Sequence, residues 1–292
     1  MKRVVSISLG SSARDHSARV TILGEEFLIE RIGTDGDMNK AIRMIRDLDG
    51  KVDAFGMGGI DLYIWCKNRR WAFRDAKKIA QAAKKTPIVD GSGLKNTLER
   101  RVVQYIVDHN VVPLKGRNVL LVSGVDRFGM AESLEAAGSN LIIGDLIFAL
   151  KIPIPMRSIR TLDIVARIFA PMVVQLPFKM LYPTGEKQND TTPKYKKYYD
   201  WADLVAGDYH FIRRYMPPRM DGKAVLTNTV TESDVRDLKA RGVHTLITTT
   251  PEINGRSFGT NVMEGILVAL AGKPPEEIRP QDYLELLDRI GF

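Results

Sequence analysis

The stretch Ser123-Gly124-Val125-Asp126-Arg127-Phe128-Gly129-Met130-Ala131 decides how this chain is read. It follows the apolar run Asn118-Val119-Leu120-Leu121-Val122 and leads into a helical pattern, so strand, glycine turn and helix come in succession. A dinucleotide-binding βαβ unit places its phosphate turn at this point. In G-x-G-x-x-G the first glycine allows the tight turn, the third lets the helix pack closely on the sheet, and the middle one lets a pyrophosphate approach bare backbone. Gly124 and Gly129 keep the first and third roles. Asp126 stands at the middle position and brings bulk and negative charge. In a phosphate reading Arg127 offsets that charge, because a guanidinium matches phosphate geometry. Gly124, Asp126, Arg127, Phe128 and Gly129 are therefore the expected cofactor turn.

The next strand pattern, Asn140-Leu141-Ile142-Ile143, ends in Gly144-Asp145. Asp145 lies 21 residues beyond Gly124, near the roughly 20-residue spacing at which a carboxylate accepts hydrogen bonds from a ribose. Such a carboxylate repels a 2′-phosphate, so NAD is favoured over NADP. A nucleoside without pyrophosphate, such as S-adenosylmethionine, meets less objection from Asp126 and stays open as the alternative cofactor.

Beyond this unit, strand and helix signals alternate through most of the 292 residues, which predicts an α/β fold with largely parallel sheets. Two domains are expected. An N-terminal α/β substrate domain spans 1–112 and regains 260–292, and a doubly wound Rossmann-like nucleotide-binding domain spans 113–259, with Pro113 and Gly116 at the boundary. Residues 18–33 read as a hairpin with Gly24-Glu25 at its turn, residues 71–84 as a helix, and Met172–Pro177 as a strand. The polar segment 182–203 interrupts the rhythm and has the length of a lid, a binding loop or a disordered connection.

Composition narrows the class. Apolar residues make up 44% and charged residues 27%, ordinary values for a soluble globular protein. No run approaches the roughly 20 apolar residues of a membrane span, and no secretory signal is evident. A single cysteine, Cys66, excludes an intramolecular disulfide and any multi-Cys zinc site, and reads as a packing residue. A cytoplasmic protein is expected. The net charge of +8 is spread among acidic residues without a nucleic-acid-binding motif. The partners expected are a small-molecule substrate and at most a second copy of the chain, with neither nucleic acid nor membrane among them.

The first domain offers three strand exits with small residues, where backbone N–H groups can meet a ligand: Gly10-Ser11-Ser12, Gly56-Met57-Gly58-Gly59 and Asp90-Gly91-Ser92-Gly93. Ser11, Ser12, Gly58, Asp61 and Ser92 are the expected substrate contacts. Lys95, on the first turn of the following helix, and Asp90 form the expected catalytic pair, provided burial brings the ammonium pKa toward neutrality. In the second domain Asn228, Thr229 and Thr249 end strands and suit a ribose or a nicotinamide amide. His210 is a further acid–base candidate. No metal-ligand spacing stands out.

The order of parts resembles the shikimate/quinate dehydrogenase family: a smaller α/β substrate domain, a nucleotide-binding domain, then a last helix returning to the first domain. Residues 254–278, with Gly259, Asn261, Met263 and Glu264 at the helix start, look like that returning helix. The Ser-x-Ser substrate signature is echoed in Ser6-Ile7-Ser8 or Ser11-Ser12, and Lys95 matches the place of the catalytic lysine. The family's Asn-Val-Thr-x-Pro-x-Lys segment is missing. The resemblance implies an NAD(P)-dependent oxidoreductase acting on a small polar or anionic hydroxy or keto compound. An S-adenosylmethionine-dependent transferase and a non-catalytic nucleotide-binding or sensor protein are the alternatives.

Overall fold

The computed structural model describes residues 1–67, 69–177, 195–250, 252–253 and 256–292, with the backbone alone for 252–253 and 256–257. Two five-stranded sheets organise them. In the first, β1 (Lys2–Ser8) is buried along most of its length, as a central parallel strand should be. β2 (His16–Ile22) and β3 (Glu25–Gly33) form the expected hairpin. Leu23 and Gly24 both adopt positive φ, 52° and 80°, which matches the strand twist across a two-residue connection. β3 and β4 (Ala54–Gly58) flank β1 in parallel, and β7 (Ile88–Val89) pairs with β4, giving the order β2-β3-β1-β4-β7.

Helix α1 (Met38–Leu48), capped by the Asp37 side chain on Lys40 N, covers one face of this sheet with α2 (Arg74–Ala80). The helix expected over 71–84 begins only after Phe73. Tyr63–Cys66 and Arg69–Ala72 pair instead as a short hairpin, β5 and β6, with Trp71 opposite Ile64. Aromatic and β-branched residues favour that extended pairing.

Helix α3 (Ser92–Asp108) leads toward the second sheet and buries Leu94, Leu98, Val102 and Ile106 at four-residue spacing. Each such side chain contributes roughly 1.5–3 kcal/mol. The second sheet comprises β8 (Asn118–Leu121), β9 (Asn140–Ile143), β10 (Leu204–Ala206), β11 (Ala224–Thr227) and β12 (Thr245–Thr248), all parallel, in the order β12-β11-β10-β8-β9. In chain order this is the 2-1-3-4-5 arrangement of a doubly wound fold, in which the crevice lies beyond the carboxyl ends of the paired strands β8 and β10, where the strand order reverses.

The helices of this unit are α4 (Phe128–Ala136), α5 (Ile159–Val173), α6 (Lys196–Trp201), α7 (Tyr209–Tyr215) and α8 (Glu232–Ala240). The strand expected at Met172–Pro177 is absent: Met172 and Val173 end α5, and a short apolar run at a helix end has no period to distinguish it from a strand. Of the polar segment 182–203, residues 182–194 lie outside the described residues, and α6 forms near its end.

Helix α9 (Thr260–Ala271) returns to the first sheet and packs on β1, β4 and α3, and α10 (Pro280–Arg289) packs on α3 and α9. Among the described residues no helix is long and apolar enough to cross a membrane.

Candidate functional site at the crevice between the sheets

The site is assembled where α3 passes the exit of β8. Gly91, with φ 94°, turns the chain from β7 into α3. Lys95 then lies on the first helical turn and Glu99 one turn later, four residues apart on one face. Lys95 Nζ donates to Asp126 Oδ1 at 2.7 Å and to Asp61 Oδ1 at 3.2 Å. One carboxylate follows β4 in the first sheet and the other follows β8 in the second, so the ammonium ties the two units together. Burial opposes its charge, but Asp126 and Asp61 outweigh that and raise its pKa above the ordinary lysine value.

Arg127 is 1% exposed and forms a buried ion pair with Glu99. Its guanidinium also reaches Asp208 Oδ2 at 3.5 Å, and its Nε lies 3.9 Å from Asp126 Oδ2. Burial raises the Glu99 carboxyl, while Arg127 pulls it back toward the charged form. At the rim, Arg14 meets His210 Nε2 at 3.2 Å, and Asn228 Nδ2 donates to Asp208 Oδ2 at 3.2 Å. A small cleft with about the space of one water opens onto this network. Its lining includes Tyr63, Trp65, Ser92, Lys95, Asn96 and Glu99, facing Asp126 to Gly129 across the gap.

Several expected roles change. Asp90 does not pair with Lys95. Its Oδ2 accepts the Leu62 and Tyr63 amides, and its Oδ1 accepts Ser92 N at 3.0 Å and Ser92 Oγ at 2.6 Å, so Asp90 and Ser92 together brace the entry to α3. The lysine's carboxylates are Asp61, expected as a substrate contact, and Asp126, expected to oppose a phosphate. The ammonium pKa moves up, away from neutrality. Glu99 escaped the sequence reading, although its four-residue spacing from Lys95 was the available signal.

The turn is built differently from a phosphate cradle. Asp145 Oδ2 accepts Gly124 N at 2.7 Å, and Oδ1 accepts Val125 N at 2.9 Å. Burial pushes this carboxyl up to about 6, against those two amide bonds. A Cβ on Gly124 would come within 2.6 Å of Ile143 Cγ2, and one on Gly129 within 2.7 Å of the Asn96 carbonyl. These glycines are required by packing alone, without any ligand. A dinucleotide does not fit this turn as it stands: its ribose acceptor and turn amides bond one another, and Asp126 occupies the pyrophosphate's approach.

The remaining expected contacts are also engaged internally. Ser11 Oγ accepts Ala13 N, and Ser12 N donates to Asp35. Gly58 lies against Ser8, where a Cβ would sit 2.9 Å from the serine side chain. Asn228 Oδ1 accepts from Tyr209 N and Thr227 Oγ1, Thr229 Oγ1 donates to Phe258 O, and Thr249 N donates to Thr227 O. Phe128 is buried in the core between α3 and the second sheet. Among the described residues no group of three His, Cys, Asp or Glu side chains is placed to hold a metal.

Comparison with known families matches residues 93–292, from the first turn of α3 onward, to a domain of unknown function, DUF8754. The chain belongs to the DUF8754 family. A second domain of unknown function, DUF8753, matches residues 3–90, so the two matches meet at the Asp90–Gly93 turn. No curated protein matches the chain.

Among solved structures, this DUF8754 protein is similar to a glutamate dehydrogenase from Thermus thermophilus, at 11% identity over 99% of this chain and 74% of that one, with a TM-score of 0.45. It is also similar to a shikimate 5-dehydrogenase from Thermus thermophilus, solved with NADP(H) and shikimate, at 14% identity over 99% of this chain and 100% of the other, with a TM-score of 0.40. A third is an L-tryptophan dehydrogenase from Nostoc punctiforme, at 11% identity over 99% and 79%, with a TM-score of 0.39. The α/β architecture rests on the strand order of the DUF8754 protein itself, and function has to be argued from its site.

Proposed function

We propose that the crevice binds a small polar hydroxy or keto compound and that the chain is an oxidoreductase of that substrate class. The observation that carries the reading is Lys95, an ammonium lining the cleft and held by one carboxylate from each side. In the keto-to-hydroxy direction a hydride from a separate hydride carrier adds to the carbonyl carbon and leaves that carrier oxidised; the C=O electron pair moves to the oxygen, where Lys95 donates a hydrogen bond and stabilises the charge until a proton completes the hydroxyl. Asp61 and Asp126 keep the lysine charged and oriented. Asp126, the more exposed of the two, is the group through which a proton passes to solvent.

A second reading, a binding or sensing protein without catalysis, is favoured by the closure of the turn by Asp145. The nucleoside-dependent transferase is disfavoured by the same contact, since a nucleoside also needs a free ribose acceptor.

The test is a screen of small hydroxy and keto compounds by calorimetry and by oxidation or reduction assays, with wild type and Lys95→Met. Binding and turnover lost together in Lys95→Met support the enzyme. Binding without turnover under any electron acceptor supports the sensor. Unchanged binding in Lys95→Met overturns the placement of the site.

A further inference from the structure

We infer that the crevice over the second sheet rejects phosphate-bearing ligands and takes an uncharged group that both donates and accepts hydrogen bonds. The inference deepens the reading of the cleft at Lys95, resting on it for the place and on separate atoms for the chemistry.

The first amides of this turn and its two buried cations are committed to carboxylates of the chain itself. The Gly124 and Val125 amides donate to Asp145, and the Lys95 ammonium donates to Asp126 and Asp61. The Arg127 guanidinium serves Glu99 and Asp208. Four carboxylates thus surround two cations, with Arg14 beyond them on His210. An entering phosphate would meet this carboxylate excess, and the two amides that begin the turn are already taken.

The unused hydrogen-bonding capacity points to a different ligand. Glu99 Oε2, Arg127 Nε and Trp65 Nε1 are buried and have no hydrogen-bond partner among the described residues. All three residues line the cleft. Buried polar atoms are paired in most native proteins, so three orphans at one cleft, one acceptor and two donors, call for an occupant. A carboxylate or phosphate would satisfy Arg127 and oppose Glu99, whereas an ammonium would do the reverse. A hydroxyl, no larger than the one water that the cleft admits, serves all three, donating to Glu99 Oε2 and accepting from Arg127 Nε and Trp65 Nε1.

Calorimetry of the full chain with inorganic pyrophosphate and NAD, paired with NMR titration of methanol, tests this. Wild type is expected to bind both anions only weakly, and methanol to shift the Trp65 indole signal at the cleft; an unmoved indole signal overturns the hydroxyl assignment. Asp126→Asn frees Lys95 and lowers the negative charge, and is expected to raise pyrophosphate affinity at least tenfold. Asp126→Gly serves the same purpose if melting shows that Asp126→Asn does not fold. Tight binding of pyrophosphate or NAD by wild type overturns the inference, as does an unchanged affinity in both variants. Either result leaves the Lys95→Met test untouched, and the failure of that test leaves the anion measurement standing.

Discussion

Asp145 closes the turn that begins at Gly124: its two carboxylate oxygens accept the amides of Gly124 and Val125, at 2.7 and 2.9 Å. A residue whose spacing matches a ribose acceptor acts here as an internal staple between the ends of β8 and β9. Asp145→Asn keeps one acceptor and turns an N–H donor toward an amide. Leaving a donor unsatisfied costs about 1–3 kcal/mol, so the variant should melt several degrees lower at neutral pH. Equal melting temperatures would show that the two amide bonds add nothing to stability.

Glu264 on α9 joins the returning helix to the start of α3. Its Oε2 accepts Gly91 N at 2.7 Å, and its Oε1 accepts Tyr283 Oη–H at 2.8 Å. Burial and the nearby Asp90 push this carboxyl up to about 8 from 4.5. Between those values the folded chain holds a proton that the unfolded chain has released. Stability from this group is therefore present at low pH and lost as pH rises through the window, by a few kcal/mol at about 1.4 kcal/mol per unit. Glu264→Gln mimics the protonated form, with Oε1 toward Gly91 and Nε2 toward the tyrosine oxygen. Denaturant unfolding followed from pH about 5 to about 9 should show a falling stability in wild type that is flattened in the variant. A wild-type curve that rises over that range contradicts the assignment.

Gly129 marks where α4 crosses α3. A Cβ there would come within 2.7 Å of the Asn96 carbonyl and also strike the Asn96 side chain. Backbone cannot yield as a flexible side chain does, so Gly129→Ala should cost about 1–3 kcal/mol despite the better helix propensity of alanine. A variant as stable as wild type would show that the helices separate freely at this point.

The legibility of the molecule in its sequence follows from the range of the interactions involved. The β8–α4–β9 unit was legible because Asn118–Leu121, Gly124 and Asn140–Ile143 are local patterns with a fixed period. The returning helix after Gly259 was expected from the resemblance in the order of parts and not from a local pattern. The β5–β6 hairpin was not, since Trp71 and its neighbours carry a helical spacing that pairing with Ile64 overrides. The site was half legible. Lys95, Asp61, Asp126 and Arg127 were all chosen, but their pairing depends on α3 crossing β8, a contact between segments about thirty residues apart. Sequence spacing joined Lys95 to Asp90, its neighbour in the chain. The fold joined it to Asp61 and Asp126.

Cys66 supplies the last test. Its thiol is buried and donates to Asp163 Oδ1 at 3.3 Å, while Arg167 binds the same carboxylate with two hydrogen bonds. Burial, and after it the Asp163 carboxylate, push the thiol up to about 12. The thiolate is the reactive species, so at neutral pH almost none is present, and the sulfur is shielded as well. Iodoacetamide should leave Cys66 unmodified in the folded chain over hours and alkylate it promptly in denaturant, as followed by intact mass. Rapid labelling of the native protein would mean that the α5–β5 contact opens readily, and Asp163→Asn should then accelerate it further by weakening the Arg167 clamp.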